Sequence, residues 1–282
     1  MKTYLDCFPC FLNQALRAAR IATDNEKKIK RVLDEVGMML RDIPLENAPP
    51  ETGRLIYRKV AKITGNEDPY REIKSETTKK ALSLYGALKR QVEKSDDRLL
   101  AAIRIAIAGN AIDYGANPGF DMDFELAEIF ERDFAICDYG LFKDSLNGAH
   151  EILYIGDNAG ESVFDRILIE EMKKPVIYVV RDRPIINDVT YEDAVQAGLD
   201  KVATILSSGT DAPGTILKTC SAEFRNIFNE AEFIISKGQG NYEALSNEIA
   251  TIYFFLKTKC QVIADDLGTR KGDSILKGIN IC

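Results

Sequence analysis

Histidine is almost missing: His150 is the one imidazole in 282 residues. Metal chemistry here therefore has to rest on oxygen ligands, which suits hard ions of the Mg²⁺ or Mn²⁺ kind. Cysteine is sparse. Six residues (Cys7, Cys10, Cys137, Cys220, Cys260, Cys282) are too few and too scattered for a disulfide scaffold. The single CxxC, Cys7-Phe8-Pro9-Cys10, lacks the second pair or nearby histidines of a structural zinc site. Two thiols one helical turn apart read more simply as core, with metal binding or a disulfide as alternatives. Positive charge is not in excess: 37 Lys and Arg stand against 44 Asp and Glu, a net charge of −7. That balance is wrong for a chain that grips nucleic-acid phosphates. No uninterrupted apolar run reaches about 18 residues, which argues against a membrane-spanning helix. The stretch from Met1 to Cys7 has no apolar core of a signal peptide. The expectation is a cytoplasmic protein that binds neither nucleic acid nor membrane.

What is present divides into two parts. Residues 1–108 read as a helical N-terminal region, with apolar residues at helical spacing over 10–21, 28–43, 51–63, 77–92 and 99–108. Pro49-Pro50 ends the second of these segments. Residues 109–282 read as an α/β domain. From residue 151 short β-branched runs alternate with helical patterns: 152–155, 176–180, 202–206, 233–235 and 262–264. This alternation predicts a mostly parallel sheet between helices, with ligands at the carboxyl ends of the strands.

Four strand ends carry polar, glycine-rich turns. After the first comes Gly156-Asp157-Asn158-Ala159-Gly160-Glu161. Asp157 and Asn158 offer an anionic and a neutral oxygen from one tight turn, a start for a hard-metal site, and read equally as a turn and helix cap. After the second comes Asn187-Asp188-Val189-Thr190. Asp188 either belongs to a cap with Thr190 and Asp193 or shares an ion with Asp157 from the neighbouring strand. The third leads to Gly209-Thr210-Asp211-Ala212-Pro213-Gly214-Thr215, where Thr215 stands in place of a P-loop lysine and argues against an NTPase. The fourth ends in Lys237-Gly238-Gln239-Gly240-Asn241, a positive charge and a close-approaching backbone suited to phosphate. A solvated loop lysine is the alternative.

Together these motifs resemble the DUF89 family, the damage-control phosphatases related to ARMT1-like proteins. Cys7-Phe8-Pro9-Cys10-Phe11 and Gly109-Asn110-Ala111-Ile112-Asp113 are similar to its small archaeal-type subfamily. The resemblance covers nearly the whole chain. It implies a three-layer α/β/α fold with a helical N-terminal region, and hydrolysis of small phosphorylated metabolites such as sugar phosphates or nucleotides. It implies a divalent metal (Mn²⁺, Co²⁺, Ni²⁺ or Mg²⁺) on Asp157, Asn158 and Asp188, which are also the candidate catalytic residues. Candidate substrate contacts are Glu161, Lys237, Gly238, Asn241, a late lysine (Lys257 or Lys259), Asn110 and Asp113, with backbone amides near Gly160 and Gly238 on the phosphate. The attacking group is a water or an aspartate carboxylate. His150 reads as structural.

Three rivals are weighed. Asp121-Met122-Asp123-Phe124 has the paired aspartates of a haloacid-dehalogenase-type phosphatase, but Asn117-Pro118-Gly119 precedes it instead of a hydrophobic strand. No GxGxxG follows the first strand, against a Rossmann-type cofactor enzyme. The third is a non-catalytic, metal-dependent sugar-phosphate or nucleotide binding protein, which would bind without turnover.

Overall fold

The computed structural model describes residues 1–109 and 133–281. Five helices come first: α1 Cys7–Ala22, α2 Glu26–Leu40, α3 Pro49–Thr64, α4 Arg71–Lys94 and α5 Arg98–Ala108. Pro49-Pro50 begins α3 rather than merely ending the segment before it, because proline at the first helical positions gives up an N–H that has no partner there. Among the described residues six more helices (α6 Tyr139–Gly148, α7 Ser162–Met172, α8 Tyr191–Ala197, α9 Ala222–Glu230, α10 Gln239–Leu245 and α11 Gln261–Leu267) alternate with strands.

The strands are β1 Ile136–Cys137, β2 Ile152–Ile155, β3 Val176–Val180, β4 Thr204–Ser207, β5 Ile234–Lys237, β6 Ile252–Lys257 and β7 Ser274–Ile279. They form one sheet in the order β1-β7-β6-β5-β2-β3-β4. Every pairing is parallel except β6 with β7. The chain runs outward from β2 through β3 to β4, then returns to β5 on the other side of β2. The carboxyl ends of β2 and β5 are therefore a switch point, where the turns diverge and leave a crevice.

Side chains alternate between two buried faces, as a sheet covered on both sides requires. Ile152, Tyr154, Val176, Tyr178, Ile235 and Phe255 share a core with α4, α5 and α7. Leu153, Ile155, Val179, Ile234, Phe254 and Leu256 share one with α9 and α10. The fold is α/β in three layers. Helices α1–α3 keep a smaller core of their own around Phe11, Val32, Val36 and Ile56. The packing changes between α3 and α4, since α4 and α5 belong to the core beneath the sheet.

One predicted strand is a helix. Val262–Ala264 lies inside α11, closed by Gly268 in the left-handed conformation. A three-residue apolar run does not distinguish the two periods. The strand of this region is β6, whose continuous Ile-Tyr-Phe-Phe-Leu run is buried on both faces. No helix among the described residues is long and apolar enough to cross a membrane.

Candidate functional site

Asp157 and Asn158 follow β2 after Gly156, and the backbone carries them against the segment after β3. Asn158 and Asp188 form an isolated antiparallel bridge. The Val189 amide donates to Asp157 O at 2.8 Å, and the Ala159 amide to Asn187 O at 2.9 Å. Asp157, Asn158 and Asp188 are thereby brought together at the switch point, with both carboxylates buried. Asp188 takes no part in the helix cap: Thr190 N and Oγ1 both donate to Asp193 Oδ2, at 3.0 and 2.7 Å, without it.

Asp188 is held instead by Arg181, a buried guanidinium spread over three partners. Its Nε donates to Asp188 Oδ2 at 2.8 Å, and its terminal nitrogens donate to Thr215 Oγ1 at 2.9 Å and Asn241 Oδ1 at 3.0 Å. Asn241 in turn donates to Gly156 O at 3.1 Å and Lys237 O at 2.8 Å. Asn241 and Thr215 thus serve as clamps between strand ends. All the groups of Asn241 that the sequence offered to a substrate are occupied by protein.

Lys237 corrects the sequence reading. It is the last residue of β5, fully buried, and neither solvated nor turned to an open phosphate site. Its ammonium donates to Ala106 O at 2.9 Å, Glu161 Oε1 at 2.5 Å and Asp165 Oδ1 at 2.6 Å. Three donors meet three acceptors, so this ammonium has none left for a ligand. Asp165 is further held by the hydroxyls of Tyr154 and Tyr178, at 2.7 and 2.8 Å. Glu161 passes the constraint on: its Oε2 accepts from Asn158 Nδ2 at 3.0 Å, and the same amide nitrogen reaches Asp157 Oδ2 at 2.8 Å. With both oxygens engaged, Glu161 is a brace behind Asn158.

Gly238 has φ of +80°, and a Cβ there would collide with the Asp157 carboxylate. Its amide donates to Phe255 O at 2.9 Å, so Gly238 gives the site closeness of approach and not a phosphate-binding N–H. Of the late lysines, Lys257 ends β6 partly buried, whereas Lys259 is exposed and its charge acts on Asp188. Asn110, Asp113 and the Asp121 to Phe124 stretch lie outside the described residues.

The carboxylates are electrostatically strained. Burial pushes Asp188 up to about 7, opposed by Arg181 and Lys259 and reinforced by Asp157. Burial likewise takes Glu161 to about 7, opposed by Lys237 and reinforced by Asp165 and Asp157. Burial alone would lower Lys237, yet Asp165 and Glu161 hold it above its ordinary value. Among the described residues no group of three or more His, Cys, Asp or Glu side chains has a geometry suited to an ion. Two carboxylates and an amide oxygen are nonetheless a donor set for a hard cation, with remaining positions left to water and substrate. A cation between Asp157 and Asp188 would offset the burial of Asp188 and the lesser repulsion from Asp157 that together raise it, so the residues fit.

The sequence reading gave no role to Arg181, Asp165, Tyr154 or Tyr178. One signal was available for Asp165: it is a lone acid among Val163, Phe164, Ile167 and Leu168 on the apolar face of α7.

Residues 3–275 match the profile of the damage-control phosphatase ARMT1-like domain. A protein of Pyrococcus horikoshii named a damage-control phosphatase is 38% identical over 280 residues, spanning 96% of each chain. One of Archaeoglobus fulgidus with the same description is 34% identical, over 96% of this chain and 97% of its own. An uncharacterised protein of Methanocaldococcus jannaschii is 36% identical, over 96% and 93%. The crystal structure of a DUF89 family protein from Pyrococcus horikoshii superposes with a TM-score of 0.91 at 35% identity, covering 98% of both chains. With the fold, the motif order and the whole-length matches in agreement, the chain belongs to the damage-control phosphatase ARMT1-like (DUF89) family.

Proposed function

We propose that this protein is a divalent-metal-dependent phosphatase of small phosphomonoesters, sugar phosphates or nucleotides, acting in damage control in the cytoplasm. The observation that carries the reading is the bridge that sets Asn158 against Asp188 at the switch point, joining two strand-end carboxylates in one buried place. The relatives named damage-control phosphatases support the reaction class. Free thiols at Cys7, Cys10, Cys137, Cys220 and Cys260 suit a reducing compartment.

Asp157, the Asn158 carbonyl and Asp188 would hold Mn²⁺, Co²⁺, Ni²⁺ or Mg²⁺, which when bound neutralises phosphate charge in the transition state. The chain's own residues prepare that place. Arg181 fixes Asp188 through Oδ2. Asn158 gives its N–H groups to Asp157 and Glu161, which turns the opposite edge of the amide, the carbonyl, away from them. The charge of Lys259, which acts on Asp188, would favour a phosphate dianion at the site.

Hydrolysis of p-nitrophenyl phosphate tests the reading. EDTA treatment should abolish turnover, and Mn²⁺, Co²⁺ or Ni²⁺ should restore it. Full turnover in metal-free protein would remove the metal from the proposal. Metal-dependent ligand binding with no turnover on any phosphoester would favour the non-catalytic binding protein.

A further inference from the structure

The single CxxC has no part in the chemistry above, and the fold does not hide it. Cys7 opens α1, half-buried against the core of α1–α3, whereas Cys10 is exposed on the same helical turn. The reading of both thiols as core therefore holds for Cys7 alone. A third free thiol comes from elsewhere in the chain: Cys260, half-buried at the cap of α11. Charge on Cys10 or Cys260 would act on Cys7, and charge on Cys10 would act on Cys260, so the three sulfurs share one neighbourhood. Among the described residues they do not form the geometry of an ion site. Thiol redox chemistry is the other use of such a group.

Two glutamines hold these sulfurs in place. Gln14 Nε2 donates to Cys10 Sγ at 3.2 Å, and its Oε1 accepts from the Tyr57 hydroxyl at 3.0 Å. Gln239 Nε2 donates to Cys260 Sγ at 3.4 Å, and its Oε1 accepts from the Lys259 amide at 3.0 Å. Cys10 and Cys7 stand three residues apart. That spacing puts helical Cβ atoms about 5–6 Å apart, against about 3.5–4.5 Å in a disulfide. The start of a helix is where the difference is most easily closed. Cys7 is the first helical residue, its amide donates to Tyr4 O at 3.0 Å outside the helix, and Asp6 supplies no side-chain cap. A small rotation of this turn brings the two sulfurs together. Exposure then divides their roles. Cys10 meets an oxidant in solution first. Burial pushes the Cys7 thiol up, opposed by the backbone at Tyr4, which keeps it a protonated partner beside its neighbour.

We propose that Cys7 and Cys10 are a reversible oxidation site, a dithiol that hydrogen peroxide converts to a disulfide, with Cys10 the attacked residue and Cys7 the resolving one. In the first step Cys10 Sγ attacks a peroxide oxygen and the O–O bond breaks. The Cys10 thiol proton leaves with the displaced hydroxide as water, and Cys10 becomes a sulfenic acid. In the second step Cys7 Sγ attacks Cys10 Sγ and the S–O bond breaks. The departing hydroxide takes the Cys7 proton as a second water. The sulfurs together lose two electrons, and the peroxide gains them. Exchange with a reduced dithiol reverses the change. A transient disulfide of this kind is compatible with a reducing compartment.

The test uses the full chain, reduced, freed of reductant, exposed to hydrogen peroxide in EDTA, then alkylated, digested with trypsin and mapped by mass spectrometry. Cys7 and Cys10 fall in one tryptic peptide and Cys260 in another, so an internal disulfide and a cross-link to Cys260 differ in mass. Alkylation of Cys7 and Cys10 should fall together by about tenfold or more, with their peptide lighter by two hydrogens, and dithiothreitol should restore it. In Cys7→Ser the resolving thiol is gone, so Cys10 should stop at the sulfenic acid, which dimedone traps; melting curves confirm the fold. Cys260→Ser should form the same disulfide at an unchanged rate. Three results would overturn the assignment: both thiols still alkylated after peroxide, Cys10 carried to a sulfinic acid with Cys7 still free, or a cross-link to Cys260. The map of the wild-type chain decides among them even if Cys7→Ser does not fold.

Discussion

Two lysines near the site obey different physics, and substitution separates them. Lys237 is buried between Glu161 and Asp165, so Lys237→Met leaves two carboxylates facing each other without their cation. Breaking a buried ion pair from one side costs about 3–5 kcal/mol. For a chain of this size the expected result is a melting temperature lower by roughly 5–15 °C. Activity should fall on every phosphoester alike, because the brace behind Asn158 is lost and not a substrate contact. Lys259 is exposed, and its charge acts on Asp188. Lys259→Ala should leave the melting temperature within about a degree and lower kcat/KM by roughly ten- to a hundredfold, the worth of a charge-assisted contact. Melting curves and steady-state kinetics on both variants check the pair, and reversed signatures would exchange their roles. Asp157, Asn158 and Asp188 were legible because turn chemistry at neighbouring strand ends is local. The fate of Lys237 was not, because a lysine that ends a strand can point outward or into the core. Its partners Glu161 and Asp165 lie more than seventy residues away in the chain.

At the scale of elements, the turn after β5 is shaped by one glycine. Gly238 combines φ of +80° with a Cβ position inside the Asp157 carboxylate, so Gly238→Ala meets backbone strain and a clash together. The expected effect is displacement of Asp157, with metal affinity reduced by tenfold or more in a competition titration against a fluorescent chelator. Gly37 is the control: it is exposed in the interior of α2, with nothing within 4 Å of its would-be Cβ. Gly37→Ala should stabilise by up to about 1 kcal/mol. Equal metal affinity in Gly238→Ala and wild type would remove Asp157 from the ligand set. Elements were readable from sequence to different depths. Strands β2 and β3 show as β-branched runs between turns, and α7 as a helical stripe. β6 and α11 were misjudged, since Val262–Ala264 has the composition of a strand and the length of neither element. The antiparallel return of β7 depends on pairing across the sheet, which no local pattern reports.

The whole molecule couples metal, protons and stability, and the sign can be worked out. Burial raises Glu161, Asp188 and Glu243 to about 7, and the charge of Asp157 adds to the rise in each. Between about pH 4 and 7 the folded protein therefore holds protons that the unfolded chain has released. Stability must then fall as pH rises through that window. Below it the opposite groups act. Burial would raise Asp97 and Asp211, but hydrogen bonds from Tyr139 and from Arg58 and Arg54 outweigh it and hold both low. Their contribution is lost as pH falls through their depressed values, so the metal-free protein should be most stable near pH 4. A divalent ion on Asp157 and Asp188 favours the ionised forms and competes with those protons. The expected outcome in EDTA is a melting temperature that declines from pH 5.5 to pH 8. Saturating Mn²⁺ should raise it several degrees more at pH 8 than at pH 5.5. In Asp188→Asn the metal-free decline should be shallower, and most of the Mn²⁺ effect should vanish. Differential scanning calorimetry at the two pH values measures all three quantities. An Mn²⁺ shift of the same size at both, surviving in Asp188→Asn, would place the ion elsewhere in the molecule.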